Sequence, residues 1–383
     1  MTTVPVTGTT PDLHHGSHNH LLDDVDPDPD PPGHLDAIIV PTFRAVDALR
    51  DSLVLAHELN RPLVALCSGQ AQARQTVALA ALFRADVLAI DLHGVRPAVP
   101  HFRADDVLGG SRFASVSDLS LKRNLGLLIS RIAGWDRVLF LDDDITGVRV
   151  GQLDGAAAVL DAGVHRAVGL RNAGFADNSV VCHAYRAIGA EQDQFIGGGA
   201  MIVNPLATRS FFPNIYNEDW FFLLGDGVPF RAARSGTMIQ RGYDPFANPR
   251  RAANEELGDT LAEGLFWMLD DGQDPTRSDG AFWSTFVFRR RALLDHVLAE
   301  VDTQAGQLPR AAAIAASVRA ARGMSAFVTP RLCQDFLHAW SDDLHVWGDF
   351  LDGFPTVGPT GIEKALAELG LSHGWARSVA KSR

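Results

Sequence analysis

The sequence VLFLDDDI at residues 138–145 runs from an apolar segment directly into three consecutive aspartates, Asp142, Asp143 and Asp144. The run of large apolar residues predicts a buried strand. Three adjacent carboxylates at the end of a buried strand are electrostatically costly unless a cation neutralises them. Residues two apart on an extended chain point the same way, so Asp142 and Asp144 can face one site while Asp143 points elsewhere. This stretch therefore predicts a site for Mg²⁺ or Mn²⁺, with a solvated acidic turn as the alternative.

On both sides of this stretch, two kinds of segment alternate. Short apolar runs predict strands at 35–41, 62–67, 86–91, 137–141 and 200–204. Helical patterns lie between them at 45–59, 70–83 and 118–132, the last with Ser117 as an N-cap. This alternation predicts an α/β fold with a mostly parallel sheet flanked by helices. Ligands bind such sheets at the carboxyl ends of the strands.

The two ends of the sequence have other patterns. Residues 1–34 contain HHGSHNH and DDVDPDPDPP, and their low apolar content predicts a disordered tail that binds a transition metal at most weakly. A domain at 35–250 carries the strands. Residues 251–383 predict a helical C-terminal extension, with helices at 255–269, 282–301, 310–322 and 331–347. The Trp-bearing helices of this extension are candidates for a homodimer face.

The charge balance, the cysteines and the lengths of the apolar runs argue against several classes of protein. The chain has 34 Lys and Arg against 46 Asp and Glu, and this acidic balance predicts no nucleic-acid partner. The three cysteines Cys67, Cys182 and Cys333 are far apart, which indicates neither a disulfide framework nor a zinc site and fits a reducing compartment. No signal-peptide pattern or bilayer-length apolar run is present, so the expectation is a soluble cytoplasmic protein.

A second motif precedes the acidic strand. LKRNLGLLIS at 121–130 places Lys122 and Arg123 on the helix that leads into it. These cations are candidates for binding a diphosphate or its sugar, and Asn124 adds hydrogen-bonding capacity. The alternative is an exposed basic helix face.

Three segments together carry a resemblance. VPTFR at 40–44, KRNLGL at 122–127 and FLDDDI at 140–145 resemble the nucleotide-sugar-dependent glycosyltransferases of the GT-A fold, especially the large inverting family. The resemblance covers about residues 35–243. It implies a Rossmann-like GT-A sheet, a UDP- or GDP-sugar donor, a small-molecule or glycan acceptor, and Mn²⁺ or Mg²⁺ held by Asp142 and Asp144.

The resemblance also implies roles for individual residues. The residues it assigns to the donor are Pro41, Thr42, Arg44, Asp91, Lys122, Arg123, Asn124 and Asp143. Many relatives have a carboxylate that contacts the nucleotide base at the end of the second strand, where this chain has Cys67-Ser68-Gly69. Asp91, at the end of the third strand, is the candidate to serve instead. Gly197, Gly198 and Gly199 in FIGGGAMIV at 195–203 fall where the family lines the acceptor site.

The catalytic base is implied by the sequence NEDW at 217–220. Asp219 would deprotonate an acceptor hydroxyl and give inversion, with Glu218 as the alternative base. The metal would stabilise the charge on the leaving diphosphate. A helix start is the other interpretation of this acidic pair, because WFFLL follows it. A retaining glycosyltransferase can share the same aspartate strand. The absence of a later Q-x-x-R-W motif argues against a processive polysaccharide synthase.

Other classes compete for the same aspartates. A haloacid-dehalogenase-type phosphatase would use Asp142 as nucleophile and Asp144 and Thr146 in its D-x-D-x-T loop. That family needs a downstream Lys, yet no lysine lies between Lys122 and Lys364. Sugar nucleotidyltransferases and dinucleotide-binding enzymes need a Gly-rich loop after the first strand, where this chain has PTFR. A non-catalytic binding protein is disfavoured because the aspartate triplet is intact.

Overall fold

A computed structural model of the chain describes residues 13–25, 33–115, 117–354, 356, 358 and 361–379. The strands within these ranges are β1 (Asp23–Asp24), β2 (Ala37–Thr42), β3 (Leu63–Cys67), β4 (Val87–Asp91), β5 (Val138–Leu141), β6 (Ile145–Thr146), β7 (Ala167–Asn172), β8 (Ala200–Val203), β9 (Ala232–Gln240) and β10 (Trp375–Ser378).

The α-helices within the same ranges are α1 (Arg50–Leu59), α2 (Ala73–Phe83), α3 (Arg103–Gly109), α4 (Leu119–Ala133), α5 (Val150–Asp161), α6 (Val180–Ala187), α7 (Glu218–Leu224), α8 (Pro249–Asp270), α9 (Gly280–Thr303), α10 (Ala311–Ser325), α11 (Pro330–Asp352) and α12 (Ile362–Glu368).

The strands form one sheet in the order β1-β9-β7-β8-β5-β2-β3-β4-β10, and β6 pairs with β9 off this path. The central strands β5, β2, β3 and β4 are parallel, while β8 runs antiparallel to both β5 and β7. The predicted α/β architecture with flanking helices is confirmed. The parallel pairing brings the carboxyl ends of β2, β3 and β5 to one edge of the sheet, where the candidate site lies.

Apolar cores cover both faces of the sheet, which explains why the central strands are continuous apolar runs. Ile38 and Val40 of β2 enter one core and Ile39 enters the other, as the period of two requires. Helix α4 packs very closely on the second of these faces. A Cβ at its Gly126 would lie 2.6 Å from Cγ2 of Ile39, so only glycine allows this approach.

The N-terminal segment corrects one expectation. Residues 13–25 belong to the predicted tail at 1–34, yet His14 and His18 are buried and β1 pairs in parallel with β9. The histidines lie against the carboxylates of Glu263 and Asp270 on α8, contacts that low apolar content does not predict. The remaining residues of the predicted tail, 1–12 and 26–32, lie outside the described residues.

The C-terminal part is helical from α8 to α12, as the periodicity predicts, with one departure. Residues 375–378 form β10, which pairs antiparallel with β4 at the edge of the main sheet. The predicted extension at 251–383 therefore contributes a strand to the domain at 35–250. None of the described helices has the length and apolar character needed to cross a membrane.

Candidate active site

The aspartate triplet begins where β5 ends. The Asp142 N–H donates to the carbonyl oxygen of Gly199 at 2.9 Å, which extends the pairing of β5 with β8 into the triplet. Asp143 is only 3% exposed and accepts hydrogen bonds from Thr42 Oγ1, at 2.6 Å, and from Arg44. Asp142 and Asp144 on either side of it are half-buried. The side chain of Asp143 therefore fixes the triplet to the end of β2.

Two adjoining cavities open at this edge of the sheet. The aspartate cavity, of about 440 Å³, is lined by residues that include Pro41, Phe43, Arg44, Lys122, Asp142, Asp143 and Asp144. The glycine cavity, of about 200 Å³, is lined by residues that include Arg123, Gly197, Gly199, Glu218, Asp219 and Trp220. Leu119, Asp142, Asp177 and Arg251 line both cavities, so the two meet at Asp142.

Lys122 ties two strand ends together beneath the aspartate cavity. Its buried Nζ donates to the carbonyl oxygen of Thr42 at 3.0 Å and to Ser68 Oγ at 2.6 Å. It also lies 2.9 Å from a carboxylate oxygen of Asp118, one helical turn earlier. All three donor positions of the ammonium group thus have partners in the protein, and Lys122 contributes a positive field to the cavity wall.

Arg123 links the two acidic motifs. It is 2% exposed, donates to both carboxylate oxygens of Asp142 at 3.1 and 3.2 Å, and pairs with Glu218. Burial raises the pKa of Asp142 to about 6 and that of Glu218 to about 7, although the Arg123 charge opposes both shifts. These carboxyl groups therefore carry an energetic cost of ionisation that a further cation would reduce.

The triple glycine lets the chain pass close to this arginine. A Cβ on Gly198 would lie 2.5 Å from Cζ of Arg123, which is closer than atoms can approach. Gly197 and Gly199, on either side, line the glycine cavity. The residues assigned to the acceptor site by resemblance thus lie next to Arg123 and the end of β5.

Asp219 occupies the first turn of α7 with both carboxylate oxygens held. Oδ2 accepts the Gly198 N–H at 2.6 Å, and Oδ1 accepts the Trp220 N–H at 2.9 Å. Asp219 is half-buried, whereas Glu218 is buried against Arg123. Of the acidic pair, Asp219 is therefore the more accessible from the glycine cavity.

Asp177 is a site residue that the sequence motifs did not reveal. It lies between β7 and α6 and lines both cavities. Its side chain is exposed but lies in a crowded part of the fold, where partial loss of surrounding water and the nearby carboxylates of Asp219, Asp142 and Asp144 raise its pKa to about 6. No motif surrounds Asp177, so proximity in the fold is the only signal that identifies it.

Three residues assigned to the donor by resemblance are outside the lining of both cavities. Both side-chain atoms of Asn124 bond to the backbone of Phe212, at 2.8 and 2.9 Å. Asp91 accepts the N–H of Ala73 at 2.8 Å, at the start of α2. Thr42 is buried and holds Asp143. The structure gives these three side chains partners within the protein and does not bring them to the cavities.

The carboxylates near the meeting point of the cavities are of the ligand type that binds a hard divalent cation, although Arg123 pairs with Asp142 and Arg44 pairs with Asp144. Asp142, Asp144 and Asp177 all line the aspartate cavity and supply carboxylate oxygens, the ligand type that Mg²⁺ and Mn²⁺ favour. Neighbouring carboxylates contribute to the raised pKa values of both Asp142 and Asp177. A dication at this point would relieve the repulsion among these carboxylates.

Comparisons with known proteins include a remote structural likeness. No family model matches the sequence, and no curated protein matches it. Among solved structures, the chain is similar to "Mannosyltransferase PcManGT from Pyrobaculum calidifontis in complex with GDP-Man and Mn2+", with 14% sequence identity and a TM-score of 0.43. The match covers 84% of this chain and 89% of that chain. A likeness this remote assigns no function to this chain.

Proposed function

We propose that the protein is a divalent-metal-dependent glycosyltransferase that moves a sugar from a nucleoside-diphosphate sugar to an acceptor hydroxyl. The observation that carries this proposal is the place of Asp142, which lines two cavities of different chemistry. The aspartate cavity is lined by the cations Arg44 and Lys122, and the glycine cavity is lined by the carboxylate of Asp219. Group transfer needs two substrates that meet at one point, and these cavities meet at the aspartates.

In this proposal the aspartate cavity takes the donor. Asp142 and Asp144 would hold Mn²⁺ or Mg²⁺, and Asp177 adds a carboxylate beside them. When bound, the cation would offset the negative charge that develops on the leaving diphosphate. The Arg44 side chain is 42% exposed, and its guanidinium, which pairs with Asp143 and Asp144, would contribute positive charge beside the diphosphate. Phe43 beside it exposes an aromatic face at the cavity wall.

The glycine cavity would take the acceptor, with Asp219 as the base. The two backbone N–H groups that donate to Asp219 fix the direction in which its carboxylate would accept a proton. A base that lies across the reacting centre from the leaving group gives inversion. Glu218 is less suited to this role because its carboxylate is engaged by Arg123.

The phosphatase alternative gains no support from the site. That family needs a lysine downstream of its nucleophile, and no lysine lies between Lys122 and Lys364. The proposal places the protein in the cytoplasm, since Cys67, Cys182 and Cys333 are free thiols and thus fit a reducing compartment.

The predicted homodimer face would include the exposed ring of Phe288 on α9.

The test is calorimetric titration of the purified protein with UDP and with GDP, each with and without Mn²⁺. We expect binding that requires the metal and prefers one base. Asp144→Ala should abolish the metal-dependent part, whereas Asp302→Ala, at an exposed position on α9, should leave it unchanged. Equal Mn²⁺-dependent affinity in the wild type and Asp144→Ala would overturn the proposal.

A further inference from the structure

A second group of side chains that can ligate a metal lies at the glycine cavity, whose lining includes His18, Cys182 and Glu263. The histidine segment, defined as residues 14–20, lies against α6 and α8. His14 and His18 from this segment, Cys182 from α6 and Glu263 from α8 are each less than a tenth exposed. None of them belongs to the aspartate triplet or to the acidic pair at 218–219.

The distances from His14 to Glu263 and to Cys182 exceed hydrogen-bond length. His14 Nδ1 lies 3.7 Å from Glu263 Oε2, and Cys182 Sγ lies 4.0 Å from Nε2 of the same imidazole. One ligand atom from each of the three residues lies within 4.8 Å of the others. Zinc bonds of ~2.0 Å to nitrogen or oxygen and ~2.3 Å to sulfur place tetrahedral ligands ~3.3–3.6 Å apart. The 3.7 Å between His14 Nδ1 and Glu263 Oε2 is within half an ångström of that arrangement, and Cys182 Sγ, within 4.8 Å of the other two ligand atoms, would move closer on binding.

A second side chain also contacts each of the His14 and His18 imidazoles and orients the ring. His18 has Nε2 3.2 Å from Glu263 Oε2, while its Nδ1 lies 2.6 Å from Asp270 Oδ2. His14 has Nε2 2.6 Å from Gln192 Oε1, which leaves Nδ1 towards Glu263. In metal sites, a ligating histidine commonly donates its second N–H to a carboxylate or carbonyl oxygen, which fixes the ring. Asp270 and Gln192 are placed for that role.

We propose that His14, Cys182 and Glu263, with His18 as the fourth ligand, bind a structural Zn²⁺ ion. A thiolate, two imidazoles and a carboxylate match the ligand preferences of zinc, whereas Mg²⁺ and Mn²⁺ favour all-oxygen sets such as the aspartate triplet. Four protein ligands close the coordination sphere, which is typical of a structural rather than a catalytic zinc.

The neighbouring carboxylate Asp270 has a different environment. Its Oδ2 lies 2.8 Å from His15 Nδ1 and 2.6 Å from His18 Nδ1. These are hydrogen-bond lengths, too short for two ligands on opposite sides of a cation. We therefore assign Asp270 to the support of His18, and the metal to the group around Glu263.

The zinc would fix a wall of the glycine cavity. Gly16, Ser17 and His18 line that cavity, and Gly16 packs so closely that a Cβ there would lie 2.3 Å from the carbonyl oxygen of Glu191. The four ligands come from three segments far apart in sequence. Binding would thus join the histidine segment to α6 and α8, and the site is independent of nucleotide binding at the aspartates.

The test uses the full-length protein stripped with a chelator and reloaded with Zn²⁺ or Co²⁺, without nucleotide. We expect one tightly bound Zn²⁺ per chain and, for Co²⁺, an absorption band from thiolate-to-metal charge transfer. Cys182→Ser should remove this band, whereas Cys333→Ser, at a buried cysteine on α11, should retain it. Bound Co²⁺ without a thiolate band, or a band unchanged in Cys182→Ser, would overturn the proposal.

A supporting variant covers the case in which Cys182→Ser does not fold. Asp270→Asn keeps all four ligands but weakens the orientation of His18, and loss of such a support costs about 10–100-fold in metal affinity. We expect a loss in that range for Zn²⁺ and no change in Mn²⁺-dependent nucleotide binding. Unchanged Zn²⁺ affinity in a folded Asp270→Asn protein would contradict the assigned ligand set.

Discussion

Arg123 donates to both carboxylate oxygens of Asp142, at 3.1 and 3.2 Å, from a guanidinium that is almost completely buried. The same guanidinium pairs with Glu218, so one side chain connects helix α4, the end of β5 and the start of α7. The three sequence motifs of the candidate site therefore depend on one another physically.

Replacing Arg123 should be strongly destabilising. Arg123→Met leaves Asp142 and Glu218 without their cation, and breaking a buried pair in this way costs about 3–5 kcal/mol. Denaturant unfolding measures the loss. Arg131→Met on the same helix is the control, because its guanidinium bonds to the carbonyls of Pro205 and Leu206 and its loss should cost about 1 kcal/mol. Equal effects of the two variants would contradict this role of Arg123.

Gly198→Ala should displace the same arginine. The end of an arginine side chain usually moves easily, but here Asp142 and Glu218 hold it, so the added Cβ should cost about 1–3 kcal/mol in the free energy of unfolding. Gly151→Ala is the matched control. Gly151 lies in α5 with open space around it, and alanine there should stabilise the protein by about 0.5–1 kcal/mol. A neutral Gly198→Ala variant would show that Arg123 has room to move.

Asp219→Asn should separate transfer from donor binding. We expect metal-dependent nucleotide affinity to be retained and the rate of transfer to fall by about 10²–10⁴, the usual contribution of a general base. Release of nucleoside diphosphate from the sugar donor measures the rate. Glu218→Gln should instead lower stability, because it removes a partner of Arg123. Transfer that survives Asp219→Asn would place the base elsewhere or indicate a retaining mechanism.

Glu255 should make stability depend on pH. Burial raises its pKa to about 7, although Arg251 and the Val180 N–H act in the opposite direction. Between the ordinary glutamate pKa and about 7, the folded state holds more protons than the unfolded state, so the contribution of this group to stability falls as pH rises. Relative to the wild type, Glu255→Gln should therefore gain about 2 kcal/mol between pH 5 and pH 8. Parallel pH profiles of unfolding free energy would contradict this.

The central strands were predictable because they are short apolar runs buried on both faces. The strand at 137–141 and its aspartates follow directly from this pattern. By contrast, β7 and β9 were not predicted. β7 contains Gly169 and the exposed Arg171, and β9 contains Gly236 among polar residues, so neither is a continuous apolar run. Pairing with neighbouring strands, rather than local sequence, determines these two strands.

The candidate site also has a part that the sequence predicts and a part that it does not. Local motifs identify the aspartates, Arg123 and the acidic pair, but not the contacts that join them, since Arg123 and Glu218 are 95 residues apart. Asp177 has no motif. The histidine segment appeared disordered because composition measures the lack of apolar residues, whereas His15 and Asp270 meet across 255 residues. Specific polar contacts over such separations depend on the complete fold.

Strand β10 pairs with β4 at the margin of the sheet, opposite the end that carries β1. A ribosome makes β2 to β5 long before it reaches residue 375. Until that segment emerges, β4 presents unpaired backbone groups that another nascent chain or a chaperone can bind. Pairing of β4 with β10 is therefore a late event in synthesis, and a ribosome that stalls within α12 would leave a chain in which β2 to β5 are made but β4 is still an open edge.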